Sequence, residues 1–145
     1  MNAEIWVPGR ARTKGSLKPV VSGRGSGRIK VGLVESGEYS KPWKNTMIRE
    51  IRAQVGPENC VHYDGPVRVI CAFLFAPEGF ELDACGWPVA IEYGDVDKLE
   101  RNVLDALTQS GLIKDDKLVV ILESVKRFAL RGEVAGVRIG VRGPV

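Results

Sequence analysis

The sequence predicts an α/β domain of the α+β kind: a mixed β-sheet with two main helices packed on it. The expected order is strand, hairpin, helix, strand, helix, strand, strand. Three observations carry this. Apolar residues recur at helical spacing in two separate segments, around 43–55 and 96–107. The run Val67–Phe75 is apolar on both faces, as suits a central strand covered by helices. The run Val134–Arg142 alternates Val137, Ile139 and Val141 with Arg138, Gly140 and Arg142, as a half-exposed strand does. At 145 residues, one hydrophobic core and a single domain over 1–145 are expected.

Taken in order, Glu4–Val7 forms a short strand that Pro8-Gly9 ends. From Gly9 to Lys30 the chain is rich in Gly, Ser, Arg and Lys. The run from Ser22 to Arg28 cannot bury enough apolar surface to fix itself, so a mobile basic loop over about 9–30 is expected. No Gly-Lys-Ser/Thr closes that loop and no strand feeds it, which rejects a nucleotide-binding loop. Its flanks, Leu17–Val21 and Ile29–Val34, are expected to pair as a hairpin.

Ser40-Lys41-Pro42 starts the first helix with a capping hydroxyl and a proline in the first turn. Trp43, Met47, Ile48, Ile51 and Val55 form its core stripe, and Gly56-Pro57 ends it. Lys44, Asn45, Arg49 and Arg52 lie opposite, as a solvated face or as unselective phosphate contacts. After the strand Val67–Phe75, with Cys71 as a core thiol, comes a long connection, 77–93, containing Trp87 and Tyr93. Those aromatics either pin the connection to the core, the favoured reading, or stack on bases or sugars. Asp95 then suits a helix N-cap. Val96, Leu99, Val103, Ala106 and Leu107 make the apolar stripe, and Gly111 suits the stop. Strands Leu118–Val125 and Val134–Arg142 follow, with a turn at Gly132-Glu133.

Several function classes are excluded or disfavoured. No apolar run approaches the ~20 residues of a membrane span, and the N-terminus lacks the apolar region of a leader. Cys60, Cys71 and Cys85 form no Cys-x-x-Cys pair, so reduced thiols in a cytosolic protein are the simplest reading. His62 is the only histidine, which removes a catalytic histidine pair. The net charge of +3 hides an asymmetry. Residues 1–30 carry seven cations against Glu4, whereas residues 78–116 carry ten acids against three cations. This distribution suits a protein that holds a polyanion while a cation screens the acids; a patchy solvated surface fits the charge alone equally well.

The stretch Gly94–Asp116 holds Asp95, Asp97, Asp115 and Asp116, expected to converge where the topology lets the helix fold back on its sheet. Hard carboxylate oxygens without soft partners suit Mg²⁺ or Mn²⁺. The natural reaction for such a site is phosphodiester hydrolysis. Arg101, one turn after Asp97, can reach a phosphate, and Asp105 is expected to pair with Arg101. By themselves, an Asp-x-Asp at a helix start and an Asp-Asp turn ordinarily serve as caps and turn formers.

The longer ordered pattern GDVDKLERNVLDALTQSGLIKDDKLVV resembles the signature of the RusA family of Holliday junction resolvases. Asp95, Asp97, Leu99, Asp105-Ala106-Leu107, Gly111, Asp115-Asp116 and Val119-Val120 carry the resemblance, which covers Gly94 to Lys126. The N-terminal part agrees only loosely. The resemblance implies a small, Mg²⁺-dependent homodimeric endonuclease, often carried by phages, that resolves four-way junctions in recombination and repair, in the cytoplasm of a bacterial or phage-infected cell. It implies Asp95, Asp97 and Asp116 as metal-binding and catalytic acids, with Asp115 supporting them and Arg101 catalytic. It leaves Arg10, Arg12, Lys14, Lys18, Arg24, Arg28, Lys30 and Lys98 as DNA-binding cations. Two positions depart from the family: Lys98 replaces a frequent Asn, and Arg101 stands where a functional Lys is common. Arginine holds a phosphate but does not readily exchange a proton at neutral pH. A fork or flap nuclease and a catalytically silent DNA-binding protein are the competing readings.

Overall fold

The computed structural model describes residues 2–14, 17–22, 30–35, 39–56, 62–77 and 86–145. The tip of the basic loop with Arg24 and Arg28, together with Cys60 and Cys85, lies outside the described residues. The elements are β1 (Ala3–Pro8), β2 (Leu17–Ser22), β3 (Lys30–Glu35), α1 (Ser40–Gln54), β4 (Val67–Phe75), α2 (Val96–Gln109), β5 (Val119–Phe128) and β6 (Gly136–Arg142). Their kinds and order are those the sequence predicts, hairpin included.

β2 and β3 pair antiparallel as a separate two-stranded sheet. The main sheet has the order β1-β6-β4-β5. β6 lies antiparallel between β1 and β4, so it does not pair with its sequence neighbour β5. β4 and β5 are parallel, and α2 is the crossover that joins them. A parallel pair needs such a crossover, because its connection must return to the starting end of the sheet. α2 therefore runs opposite to β5.

One face of the sheet holds the core. Ile5 and Val7 of β1, Val69, Cys71 and Phe73 of β4, and Val137, Ile139 and Val141 of β6 are buried with Trp43, Met47 and Ile51 of α1 and Leu99, Val103, Ala106 and Leu107 of α2. On the other face of β4, Leu74 is buried but Ile70 and Ala72 are only half-buried. The two-faced apolarity of β4 thus reflects its central place in one sheet, not helices on both sides. Burial pushes the Cys71 thiol up to about 12, leaving an inert core sulfur. His62 is exposed.

The first helix starts differently from expectation. Tyr39 occupies the N-cap position and Ser40 makes no cap bond. Ser40 is buried instead, where its hydroxyl accepts from Asn102 Nδ2 at 3.2 Å. Asn102, fully buried in α2, also donates to the Arg12 carbonyl at 3.0 Å, so one amide ties two helices and the N-terminal segment together.

The turn between β5 and β6 is held by charge. Arg127 donates to both carboxylate oxygens of Glu133, at 2.6 and 2.8 Å, and Glu133 also accepts from the Leu130 amide. The guanidinium holds the Glu133 carboxyl down to about 2. Because the folded value lies below the ordinary ~4.3 of an unfolded glutamate, this contribution is complete above that value and is lost as pH falls through about 2. NMR titration of the side chain should give a midpoint near 2. An ordinary glutamate midpoint would mean the clamp does not persist in solution.

Candidate active site

The carboxyl ends of β4 and β5 fix the first pair of acids. Tyr93 is buried there, its ring 5.2 Å from Phe75 and 5.6 Å from Phe128. The next residue, Gly94, has φ +86, and a Cβ on it would collide with the Thr13 side chain. Only glycine meets both demands. Lys126 of β5 donates to the Gly94 carbonyl at 2.7 Å and so ties this peptide to the sheet. Asp95 follows at the N-cap position, but its carboxylate makes no cap bond.

Asp95 and Asp97 are exposed, with 70% and 61% of their side chains accessible. Their cations stand off, Lys98 at 3.6 Å from Asp95 and Arg101 at 3.6 Å from Asp97. Exposed pairs of this kind contribute ~0–1 kcal/mol, so a ligand displaces them readily. The partial positive charge of the α2 N-terminus favours both carboxylates.

The basic segment 9–14 lies along α2 beside these acids. Ala11 is buried, the Lys14 amide donates to the Lys98 carbonyl at 3.0 Å, and Arg10 donates to the Glu92 carbonyl at 3.0 Å. The Arg12 guanidinium sits 4.5 Å from the centre of the Tyr39 ring. Lys14 pairs with Asp105 at 2.8 Å. Asp105 therefore does not take Arg101 as its partner: the N-terminal segment claims it, and Arg101 turns to Asp97. Lys18 and Lys30 fall on the hairpin strands β2 and β3.

The second pair of acids sits elsewhere. Gly111, with φ +87, ends α2, and Ile113 then bridges Tyr63, just ahead of the amino end of β4. Asp115 caps a short 3-10 turn, Asp116–Leu118, that leads into β5. The Lys117 amide donates to Asp115 at 2.9 Å. That bond, with help from Asp116 and the Lys117 charge, holds the Asp115 carboxyl below the usual carboxylate range, against a smaller opposing effect of burial.

The two pairs thus lie at opposite ends of α2. Its 14 residues, at ~1.5 Å each, separate them by roughly 20 Å. The convergence expected within one chain does not occur, because α2 runs antiparallel to β5 and its whole length stands between the pairs. Among the described residues, no three acids, histidines or cysteines are grouped to hold a metal.

Residues 16–142 match the family described as endodeoxyribonuclease RusA. The chain belongs to the RusA family. Membership indicates an endodeoxyribonuclease, which is a hydrolase, and implies action on branched DNA of the Holliday junction kind. RusA nucleases generally depend on a divalent metal. Among curated proteins, no sequence matches this chain. No helix among the described residues is long and apolar enough to cross a membrane.

Two residues that shape the start of α2 escape a reading of the sequence. Lys126 and Asn102 act through partners 32 and 90 positions away, Gly94 and Arg12. Local spacing carries no signal for such contacts. Gly94, by contrast, is legible as a glycine before a cap. Gly94→Ala should lower stability by roughly 1–3 kcal/mol in urea titration, the scale of a residue forced into strained backbone. Adding Thr13→Ala removes the collision but not the strain, so it should restore part of the loss. Full stability in the single variant would show that Thr13 does not approach Gly94.

Proposed function

We propose that this RusA protein is a Mg²⁺-dependent homodimeric endonuclease that resolves four-way junctions by paired phosphodiester hydrolysis during recombination and repair. Each site would take Asp95 and Asp97 from one protomer and Asp116, supported by Asp115, from its partner. The observation that carries this is the placement of the two acid pairs at opposite ends of α2. A two-fold axis crossing the middle of α2 and β5 sets the carboxyl end of one protomer against the amino end of the other. It does so twice, giving two equivalent sites. Junction resolution requires the same symmetry, with one cut in each of two related strands.

The donor set fits the ion. Asp95, Asp97 and Asp116 are exposed carboxylates, and Asp95 and Asp97 have only loose ion pairs to give up. Carboxylate oxygens with room for water and substrate phosphate suit Mg²⁺, with Mn²⁺ as the close substitute. A bound ion supplies an acidified water and neutralises charge on the reacting phosphate. The chain's own residues orient and screen. Arg101, one turn along from Asp97, keeps its charge throughout and holds a phosphate oxygen electrostatically. Lys98 adds a second cation on the same turn, and Arg10, Arg12 and Lys14 fix further positive charge along α2. Lys18 of β2 and Lys30 of β3, with Arg24 and Arg28 between them in the sequence, serve as contacts to the DNA backbone.

Labelled four-way junction, fork and linear duplex, incubated with Mg²⁺ or EDTA, test this reading. Symmetric paired nicks on the junction, abolished by EDTA, are expected. Cuts on forks alone would assign a fork nuclease, and binding without cutting a silent DNA-binding protein. Asp97→Asn and Asp116→Asn should each lower cleavage by ~100-fold or more, the several kcal/mol at stake in a metal-assisted step. The two inactive variants, unfolded together and refolded as a mixture, should recover nicking of one strand, since one composite site in the mixed dimer is intact. A mixture as dead as its parents would return both acid pairs to a single chain.

Replacing Arg24 and Arg28 by alanine should weaken junction binding and flatten the slope of log affinity against log salt by about 1–2. An unchanged slope at low salt would remove Arg24 and Arg28 from the DNA contact.

A further inference from the structure

β4 lies between β5 and β6, so the connection 129–135 crosses the carboxyl end of β4. It is tightly bonded. The Ala129 amide donates to the Phe75 carbonyl at 2.8 Å, which fixes its start to β4. The Glu133 amide donates to the Leu130 carbonyl at 2.9 Å, and the Leu130 amide donates back to the Glu133 carboxylate at 2.9 Å. The Arg127 guanidinium grips that carboxylate twice and also donates to the Phe128 carbonyl at 3.1 Å. These bonds order the turn before anything binds to it. Yet it exposes Leu130 at 67% and Val134 at 64%. Exposed apolar residues are ordinary when scattered. Here two share one fixed turn, and cations surround them.

The charge around the turn is one-sided. Residues 126–138 carry Lys126, Arg127, Arg131 and Arg138 against Glu133 alone, a net of +3. Arg127 cancels Glu133. That leaves Arg131, exposed between Leu130 and Val134 in the sequence, and Arg138, exposed on β6 with its guanidinium 6.0 Å from the centre of the Trp6 ring. A positive surface complements a polyanion. The turn also stands at the end of the sheet that carries Asp95 and Asp97. Phe128, two residues before Leu130, packs on Tyr93, two residues before Asp95. A DNA strand presented to those acids passes this turn.

We propose that the 129–135 turn is a wedge on the DNA: Arg131 holds a backbone phosphate beside the branch point, and Leu130 with Val134 presses between neighbouring bases. Apolar side chains used in this way unstack base steps, and the cost is least where pairing is already interrupted. Such a wedge favours a branch point over continuous duplex. It has to be stiff, since a turn that yielded would lose to DNA the order it brings, and the Arg127–Glu133 clamp supplies that stiffness. This surface rests on the endonuclease reading above and adds a contact remote in sequence from the N-terminal cations.

A four-way junction with 2-aminopurine beside the branch point tests the wedge in EDTA, where nothing is cut. Fluorescence rises as that base unstacks, and titration gives the affinity. Saturating wild-type protein should raise the signal on the junction and leave a duplex with the same base nearly unchanged. A Leu130→Ser, Val134→Ser double variant should still bind the junction but lose most of the rise at saturation. Arg131→Ala should flatten the slope of log affinity against log salt by about 1. Circular dichroism should be the same for all three chains, because only exposed side chains change.

Three results overturn the proposal: a wild-type chain that binds the junction without raising the signal, a full rise in the double serine variant, or an unchanged salt slope in Arg131→Ala. Any of them, with metal-dependent junction cleavage by the wild type, leaves the endonuclease reading standing. The expected losses in a chain that cuts nothing remove that reading and keep the turn as a DNA contact.

Discussion

The parallel pairing of β4 with β5 is the constraint from which the rest of this molecule follows. Parallel neighbours cannot be joined by a tight turn, so the chain must leave the carboxyl end of β4 and return to the amino end of β5. α2 makes that return. Its start is pinned at one end of the sheet by Tyr93 between Phe75 and Phe128, and its exit at the other by the Tyr63–Ile113 bridge. Every chemical group of interest sits at one of these two ends. Asp95, Asp97 and Arg101 belong to the start, and Asp115 and Asp116 to the exit.

The N-terminal segment turns the start of α2 into a fixed electrostatic environment. A strand and helix alone would leave Asp95 and Asp97 on a fraying helix end. Here Gly94 lies against Thr13, Lys126 holds the Gly94 carbonyl, and Asn102 reaches the Arg12 carbonyl from the second turn of the helix. Arg10 and Arg12 are positioned by a backbone carbonyl and an aromatic face, and Lys14 by Asp105. Cations ordered before a ligand arrives do not have to be ordered by it, which lowers the cost of binding a phosphate chain beside them.

The element order was legible because it depends on local pattern. The stripe Trp43, Met47, Ile51 and the stripe Leu99, Val103, Ala106, Leu107 recur at 3.6 residues. β4 reads as central because both of its faces are apolar. The hairpin flanks also pair as their sequence suggests, within a residue or two. Long-range choices were not legible. Nothing in the run Gly136–Arg142 says that it inserts between β1 and β4 instead of pairing with β5. Ser40 has the chemistry of a cap, and only the position of Asn102 diverts it. Asp105 has an arginine one turn away, yet a lysine 91 positions earlier takes it. The acid pairs themselves are plain in the sequence. Their separation is not, because it depends on the direction in which β5 runs.

That separation has a thermodynamic consequence under the shared-site reading. Four carboxylates gathered in one chain would repel one another whenever no cation was present, and the chain would bear that cost at all times. Divided between the ends of α2, each pair stays soluble and loosely screened by Lys98, Arg101 or Lys117. On that reading the acids meet only when two chains do, and the meeting is unfavourable unless a divalent ion lies between them. Metal binding and dimer formation are then linked equilibria. Whatever factor the ion adds to dimer affinity, the dimer adds to ion affinity. On that reading a lone chain would hold an ion weakly and cut nothing, whereas an assembled pair would carry two equivalent sites related by the symmetry of a four-way junction. A nuclease confined in this way to its two-fold form makes its two cuts as a pair, which resolving a junction demands and nicking a duplex does not.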